Sequence, residues 1–208
     1  MKEKIKLTTI KLGLLGDHSV GKTSICKVFK GLEFDEGERS TIGTDRYEKK
    51  FKLKNGNEIK VNIIDIAGHE RYRYAVLQAI KHVHGIIIIF DVTDRISFDS
   101  IDTLIQGIKE NCNQPSLVLF GNKADRDKKE WRITNEEIES LSKIYNLKYF
   151  LTSAKTNMNI NEGFDYIINN SFTKIKEKIG AINLNNINED NSGCIGKNKN
   201  NNKQKKSK

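Results

Sequence analysis

Cysteine, proline and long apolar runs are all scarce in this sequence. The three cysteines are odd in number and include no CxxC pair, which argues against a disulfide framework and a zinc site. No apolar run approaches the roughly 20 residues that cross a bilayer, and the first ten residues, MKEKIKLTTI, lack the apolar core of a secretory signal. The length of 208 residues and the single proline suit one globular domain. We expect it in the reducing environment of the cytoplasm.

Positive charge is in excess, but most of it lies at one end. The net charge is +9, and lysines at 197, 199, 203, 205, 206 and 208 carry six of these charges, leaving +3 for residues 1–196. Beyond residue 180 Asn, Lys, Gly and Ser dominate, a composition that buries too little apolar surface to fold. We therefore predict a domain over 1–180 and a disordered tail over 181–208. The tail has no interleaved aromatics, so no nucleic-acid partner is expected, whereas weak electrostatic membrane binding and a solubilising role both stay open.

Apolar strand-like runs alternate with helix-like segments through residue 178, a pattern typical of βα units. The alternation predicts a doubly wound α/β fold with a six-stranded, mostly parallel sheet and helices on both faces. Asn55-Gly56 between two strand-like runs favours a hairpin. The predicted strands are Ile10–Leu15, Arg46–Leu53, Glu58–Ile66, Gly85–Phe90, Ser116–Phe120 and Lys148–Leu151, and the predicted helices are Lys22–Phe29, Ser97–Asn111, Asn135–Tyr145 and Asn161–Lys178.

A glycine-containing loop stands between the first predicted strand and helix and matches GxxxxGK[ST]. A phosphate chain needs convergent N–H donors, which such a loop supplies together with the positive end of the helix dipole. Lys22 is expected to reach the β- and γ-phosphates, and the Thr23 hydroxyl to ligate Mg²⁺. The predicted nucleotide contacts in this segment are Gly16, Asp17, His18, Ser19, Val20, Gly21, Lys22, Thr23 and Ser24.

The residues that read the base separate a GTP-binding protein from an ATPase or a nucleoside kinase, since all three share the phosphate loop. Asn122-Lys123-Ala124-Asp125 follows a predicted strand at the sheet edge where such folds bind ligands. Asp125 can accept two hydrogen bonds from guanine, whereas adenine offers no such donor pair. Lys123 can lie over the base, and Asn122 can tie this loop to the phosphate loop. A kinase or ATPase stays the alternative if Asp125 does not read guanine.

Two further motifs also follow predicted strands. Asp65 ends one strand and is expected near the metal, with the Gly68 amide near the γ-phosphate. Ser153, Ala154 and Lys155 follow the last strand and can close over the base. Four motifs in this order, each at a strand end, make coincidence an unsatisfactory explanation.

With these motifs the chain resembles the Ras superfamily of small GTPases, and most closely the Rab family, over about residues 8–178. The similar stretches include GDHSVGKTS, STIG at 40–43, AGHERY at 67–72 and FDVTD at 90–94. The resemblance implies a monomeric P-loop G domain that binds GTP or GDP with Mg²⁺, hydrolyses GTP and regulates vesicle traffic, in the cytoplasm or peripherally on endomembranes. It implies that an exchange factor, an activating protein and effectors bind the switch regions. It further implies that Thr41 ligates Mg²⁺, that Phe34 packs on the base and that residues 66–80 form switch II.

Two histidines depart from the family pattern at positions that concern catalysis. His69 stands where the family has the glutamine that orients the attacking water, and His18 stands where a small residue is usual. A ring at His18 crowds the space of a glutamine or an arginine finger, so we predict slow hydrolysis, with His69, Lys22 and Gly68 as the candidate catalytic residues. Two alternatives stay open: His69 itself positions water adequately, or the chain is a GTP-binding interaction protein that barely hydrolyses.

Other departures concern partners. Arg46 and Ile64 occupy places where the family usually has an aromatic residue and a tryptophan, and Ala79-Ile80-Lys81 replaces a Tyr-Tyr-Arg segment. Because exposed aromatics often anchor interfaces, we expect effectors other than the usual ones. Cys194 lies 14 residues before Lys208, so neither a CaaX nor a CC or CxC signal for prenylation is expected to operate.

Overall fold

The computed structural model describes residues 9–38, 40–41, 43–66 and 78–192, with the backbone alone for 181–192. The strands are β1 (Thr9–Leu15), β2 (Thr44–Lys52), β3 (Glu58–Ile66), β4 (Gly85–Asp91), β5 (Ser116–Asn122) and β6 (Lys148–Leu151). The helices are α1 (Lys22–Lys30), α2 (Arg95–Asp99), α3 (Ile101–Asn111), α4 (Asn135–Tyr145) and α5 (Ile160–Ser192), with a 3-10 turn at Lys128–Glu130. The chain divides into two compact units, residues 1–174 and 175–208.

The six strands form one sheet in the order β2-β3-β1-β4-β5-β6. Only the β2–β3 pair is antiparallel, and the other four pairs are parallel. The predicted hairpin between β2 and β3 is present, and Gly56 adopts the left-handed conformation (φ 84°) that this turn needs. The predicted α/β fold class is therefore confirmed.

Strand β4 explains why helices cover both faces of the sheet. All seven of its residues are buried, and alternate side chains point to opposite faces. One face joins Ile86, Ile88 and Phe90 to Ile101, Ile105 and Ile108 of α3 in a single apolar cluster. On the other face, Phe164 of α5 stacks on Phe29 of α1 with ring centroids 3.7 Å apart. The fully apolar run in the sequence is thus the centre of a three-layer core.

The helix predicted over Ser97–Asn111 is divided into α2 and α3. The Ser97 hydroxyl donates to the carbonyl of Asp94, and the Ser100 hydroxyl donates to the carbonyl of Ser97. Serine hydroxyls that bond to backbone carbonyls compete with the helical ladder and bend it. The break at Ser100 therefore has a local cause that apolar spacing alone does not reveal.

Helix α5 is longer than predicted, because it continues to Ser192 instead of ending at Lys178. Residues 181–192, which we predicted in the disordered tail, extend this helix. Adding a residue to an existing helix avoids the cost of nucleation, so a polar sequence can prolong a helix that it would not start. Residues 193–208 of the predicted tail lie outside the described part. Within that part, no helix combines the length and the apolar character needed to cross a membrane.

Candidate nucleotide site

A cavity of about 290 Å³ lies at the edge of the sheet where the parallel strands end. Its walls come from the loop after β1, the first turn of α1, the loops after β5 and β6, and the segment before β2. Sequence motifs that are about a hundred residues apart therefore meet at one place. The predicted site residues in its lining are His18, Ser19, Gly21, Lys22, Thr23, Ser24, Phe34, Thr41, Asn122, Lys123, Asp125, Ala154 and Lys155.

Other predicted residues take part from behind the lining. Gly16, Asp17, Val20, Asp65 and Ser153 do not line the cavity but bond to or pack against residues that do. The predicted catalytic positions Gly68 and His69 lie outside the described residues, as does the rest of 67–77.

The phosphate loop needs glycine at two of its positions. Gly21 has φ 94°, and a Cβ there would lie 2.4 Å from Nδ2 of Asn122. At Gly16 a Cβ would lie 2.1 Å from the carbonyl oxygen of Ile89. The same Asn122 Nδ2 donates to the carbonyl of Val20 at 2.8 Å, which is the predicted tie between the two loops. The glycines thus let the backbone approach its neighbours closely enough to form the loop.

Lys22 is held inside this loop with only 7% of its surface exposed. Its Nζ donates to the carbonyls of Gly16 at 2.9 Å and Asp17 at 2.6 Å. Burial lowers the pKa of Lys22 to about 8, and the charges of Asp65 and Asp17 offset part of this effect. A partly desolvated ammonium group at the floor of a cavity is well placed to meet an anion.

Three oxygen-bearing side chains gather beside Lys22. Oγ1 of Thr23 donates to Oδ2 of Asp65 at 2.6 Å and lies 2.7 Å from Oγ1 of Thr41. Because Thr23 has one hydroxyl hydrogen, Thr41 is the donor in the second contact. Burial raises the pKa of Asp65, although Thr23 and Lys22 lower it in part.

The chemistry of this cluster fits Mg²⁺. The second oxygen of Asp65, Oδ1, is buried and has no hydrogen-bond partner among the described residues. An unpaired buried carboxylate oxygen beside two hydroxyls matches the hard oxygen ligands that Mg²⁺ prefers, together with the phosphates of a nucleotide. The three predicted metal residues therefore lie together beside Lys22, where a metal ion could also contact the phosphates of a nucleotide.

The other end of the cavity holds Asp125 in a fixed orientation. Its Oδ1 accepts a hydrogen bond of 2.6 Å from the hydroxyl of Ser153, which is fully buried. Ser153 Oγ in turn accepts from the backbone N–H of Thr156 at 3.1 Å. Oδ1 of Asn122 also accepts from the N–H of Ala154 at 3.3 Å, so the loops after β5 and β6 are joined. This arrangement leaves the second carboxylate oxygen available to donors in the cavity.

Lys123 forms an ion pair with Asp91, a residue that the sequence motifs did not predict as part of the site. Its Nζ lies 2.6 Å from Oδ2 of the buried Asp91, and its backbone has the positive φ of 62°. The N–H and hydroxyl of Thr93 both donate to Oδ1 of Asp91, at 2.8 and 2.7 Å. The lysine stem therefore crosses the cavity wall in a defined position. Asp91 belongs to the FDVTD stretch. A carboxylate at the end of an apolar strand was the sequence feature that could have identified it as a site residue.

Comparison of the sequence with those of known proteins shows the family of this chain. Residues 11–173 match the sequence model of the Ras family. The chain belongs to the Ras family. Curated relatives of this Ras-family chain include Ras-related protein RAB1BV of Beta vulgaris, with 36% identity over 74% of the chain and 72% of the relative. Ras-related protein Rab-13 of Mesocricetus auratus has 35% identity over 74% and 76%, and Rab-8B of Homo sapiens 34% over 83% of each. The predicted Rab-like small GTPase is confirmed.

This Ras-family chain has an acidic segment in the cavity wall that no motif predicted. Asp35, Glu36 and Glu38 all contribute to the lining. The N–H of Gly37 donates to the Asp35 carboxylate at 2.8 Å, which forms a local turn. Glu36 faces Lys155 across the cavity with 4.0 Å between Oε1 and Nζ. The sequence alone does not show that this acidic segment lines the cavity, because acidic residues in a loop are usually only solvated.

Proposed function

We propose that this Rab-like GTPase binds GTP or GDP with Mg²⁺ in the cavity and presents different partner surfaces in the two states. One observation carries the proposal. A buried lysine and an oxygen cluster lie at one end of a single cavity, and a carboxylate fixed by Ser153 lies at the other. A cavity with a cationic group at one end and a hydrogen-bond acceptor at the other suits the phosphates and the base of one guanine nucleotide.

Each residue would have a role that follows from its position in the cavity. Lys22 would neutralise charge on the β- and γ-phosphate oxygens, and Asp125 would accept from the two guanine donors. Thr23 and Thr41 would ligate Mg²⁺, with Asp65 acting through a water molecule. Bound Mg²⁺ supplies charge neutralisation and orientation of the phosphate oxygens. Loss of the γ-phosphate would release Thr41 and with it the segment before β2.

We further infer that hydrolysis of GTP to GDP and phosphate is slow. His69 replaces the water-orienting glutamine of the family, and His18 is an exposed residue of the cavity lining. Since most of the catalysis in this reaction comes from positioning, a residue that holds water less well should slow the chemical step. A chain that binds GTP but barely hydrolyses it is the second candidate, and the same two histidines favour it.

The bound nucleotide and the single-turnover rate test both candidates. Protein as purified would be analysed for nucleotide by HPLC, and hydrolysis of loaded GTP would be followed in the natural chain and in His69→Gln. We expect roughly tenfold faster hydrolysis in His69→Gln, while the exposed His82→Gln variant keeps the original rate. Bound GTP would favour the hydrolysis-impaired candidate, and bound GDP the switch. A natural rate equal to that of ordinary family members, or no gain in His69→Gln, contradicts slow hydrolysis.

We propose a role in vesicle traffic because the similar proteins are Rab proteins, but with different effectors. Arg46 is exposed on β2 and pairs in register with the half-buried Ile64 on β3. The hairpin therefore offers a cation where the family usually has an aromatic anchor. Pull-downs with the GTP-loaded chain and with Arg46→Phe test this proposal. Capture of an ordinary Rab effector by the natural chain would contradict it.

We also propose that the lysine-rich tail gives at most a weak, electrostatic hold on membranes. Each lysine near an anionic surface contributes about 1 kcal/mol, and salt screens the attraction. Flotation of the full chain with vesicles containing phosphatidylserine, at low and high salt, provides the test. Association that disappears at high salt supports the proposal, and salt-resistant association contradicts it.

A further inference from the structure

Helix α1 holds the segment before β2 at two points. Thr23 and Lys27 are four residues apart, so they lie on one face of the helix. Thr23 Oγ1 is 2.7 Å from Oγ1 of Thr41, and Nζ of Lys27 bonds to the carboxylate of Glu38. Two residues one helical turn apart on α1 thus contact two loop residues that are three positions apart.

The contact between Lys27 and Glu38 is sheltered compared with the ion pairs on the exposed surface of the domain. The two side chains are 31% and 23% exposed, whereas those of Lys60 and Glu48 are each 55% exposed. The hydrogen bond from Lys27 to Glu38 raises the pKa of the lysine. Sheltered, charge-assisted hydrogen bonds are stronger and less screened than exposed pairs.

The short chain segment between Glu38 and Thr41 limits where Thr41 can lie. Three peptide steps separate Glu38 from Thr41 and span at most about 11 Å when extended. Once Glu38 is fixed on α1, Thr41 can move only within that radius. The Asp35 carboxylate binds the N–H of Gly37, and the Asp35 carbonyl accepts from the N–H of Glu38 at 3.4 Å, which restrains the loop on its other side.

We propose that Lys27 and Glu38 form a positioning pair that keeps Thr41 beside Thr23 and Asp65, and so prolongs retention of Mg²⁺-bound GTP. The inference rests on the proposed nucleotide and metal site. Neither residue of the pair is assigned a direct contact with the metal. The pair acts by reducing the freedom of the loop that carries a metal ligand, which lowers the entropy lost when the ligand engages.

The test is the dissociation rate of a fluorescent, non-hydrolysable GTP analogue, measured in Mg²⁺ and in EDTA. In Mg²⁺, Glu38→Gln and Lys27→Met should each release the analogue roughly threefold to tenfold faster. The double variant should be no faster than either single one, because both remove the same contact. In EDTA all variants should match the natural chain, since Thr41 then has no metal to ligate. A merely structural defect would speed release in both solutions.

Two controls complete the design. Glu139→Gln removes the carboxylate of an exposed pair with Lys143 on α4, and Lys27→Arg retains the cation. Both should keep the natural rate in Mg²⁺. The inference is overturned if Glu38→Gln releases the analogue at the natural rate, if the single effects add, or if EDTA leaves the difference intact. Failure of the natural chain to bind the analogue would refute the proposed function instead, so the two failures are distinguishable.

Discussion

Ser153 shows how a residue outside the cavity lining can set nucleotide affinity. Its hydroxyl donates to Asp125 at 2.6 Å and is fully buried. Ser153→Ala would leave Asp125 free to rotate away from guanine. We expect affinity for GDP to fall roughly tenfold to a hundredfold, as is typical for one lost hydrogen bond to a charged group. Equilibrium titration with fluorescent GDP measures the change.

The matched control for this prediction is Ser140→Ala. Ser140 lies exposed on α4, and its hydroxyl donates to the carbonyl of Glu136. Its removal should not alter GDP affinity. Equal losses in the two variants would mean that Ser153 acts on general stability and not on the orientation of Asp125.

His84 predicts how stability depends on pH. Its Nδ1 accepts the N–H of Lys11 at 2.9 Å, a contact that only the unprotonated nitrogen can make. Burial, and to a lesser degree the charge of Lys11, lower the pKa of His84. The unfolded chain therefore binds a proton more readily than the folded one, so the stabilisation is complete above the ordinary histidine pKa of about 6.5 and is lost as the pH falls below it.

Urea unfolding between pH 7.5 and 5 measures this effect. We expect the free energy of unfolding to fall less steeply with acid in His84→Asn, because the amide oxygen can accept the same N–H without titrating. His82→Asn, at an exposed histidine two residues away, should keep the natural slope. An unchanged slope in His84→Asn would show that other groups cause the acid sensitivity.

Sequence motifs predicted the residues of the site better than the contacts that hold them. Asn122 was expected to tie two loops and does so. The partner of Lys123, Asp91, was not predicted, because a salt bridge between the ends of adjacent strands depends on strand order and register. The pairing of Glu38 with Lys27 likewise requires the path of the loop, which sequence spacing does not give.

At the scale of elements, helix propensity and core packing favour different residues at Gly163 in α5. Alanine is favoured over glycine within a helix by about 1 kcal/mol. A Cβ at Gly163, however, would lie 2.3 Å from the ring of the fully buried Phe120. Because the ring is enclosed by the core, we expect Gly163→Ala to lower the free energy of unfolding by about 1–3 kcal/mol. Thermal and urea unfolding provide the measurement.

Gly180 in the same helix is the control. A Cβ there would meet no atom within 4 Å, so Gly180→Ala should be neutral or stabilising by up to about 1 kcal/mol. Stabilisation by Gly163→Ala would mean that Phe120 and α5 adjust more easily than a packed interior allows.

The elements that the sequence predicted well are those whose pattern is set by burial. The central strands are continuous apolar runs, and α4 begins after Thr134 with a capping box that includes Glu137. The break at Ser100 and the end of α5 were missed for another reason. The break depends on serine hydroxyls that bond to backbone carbonyls, and the end of α5 depends on helix continuation; neither leaves an apolar period to detect.

At the scale of the whole molecule, the nucleotide site joins distant parts of the domain. The cavity is built from segments that follow β1, β5 and β6 and from the segment before β2. The first of these segments and the segment before β2 lie about a hundred residues from the loops after β5 and β6. A ligand that contacts all of them can bind only the folded chain, so its binding free energy adds to the stability of the domain.

Thermal unfolding of the nucleotide-free chain tests this linkage. Magnesium and GDP at about a thousand times the dissociation constant should stabilise the domain by about 4 kcal/mol, which raises Tm by about 8–16 °C for a domain of this size. EDTA should reverse part of the rise, because Thr23 and Asp65 then lose the cation that links them to phosphate. ATP at the same concentration should leave Tm near its starting value, since adenine offers Asp125 no pair of donors. An equal rise with ATP would contradict the guanine-reading role of Asp125, because the phosphate loop alone would then account for binding.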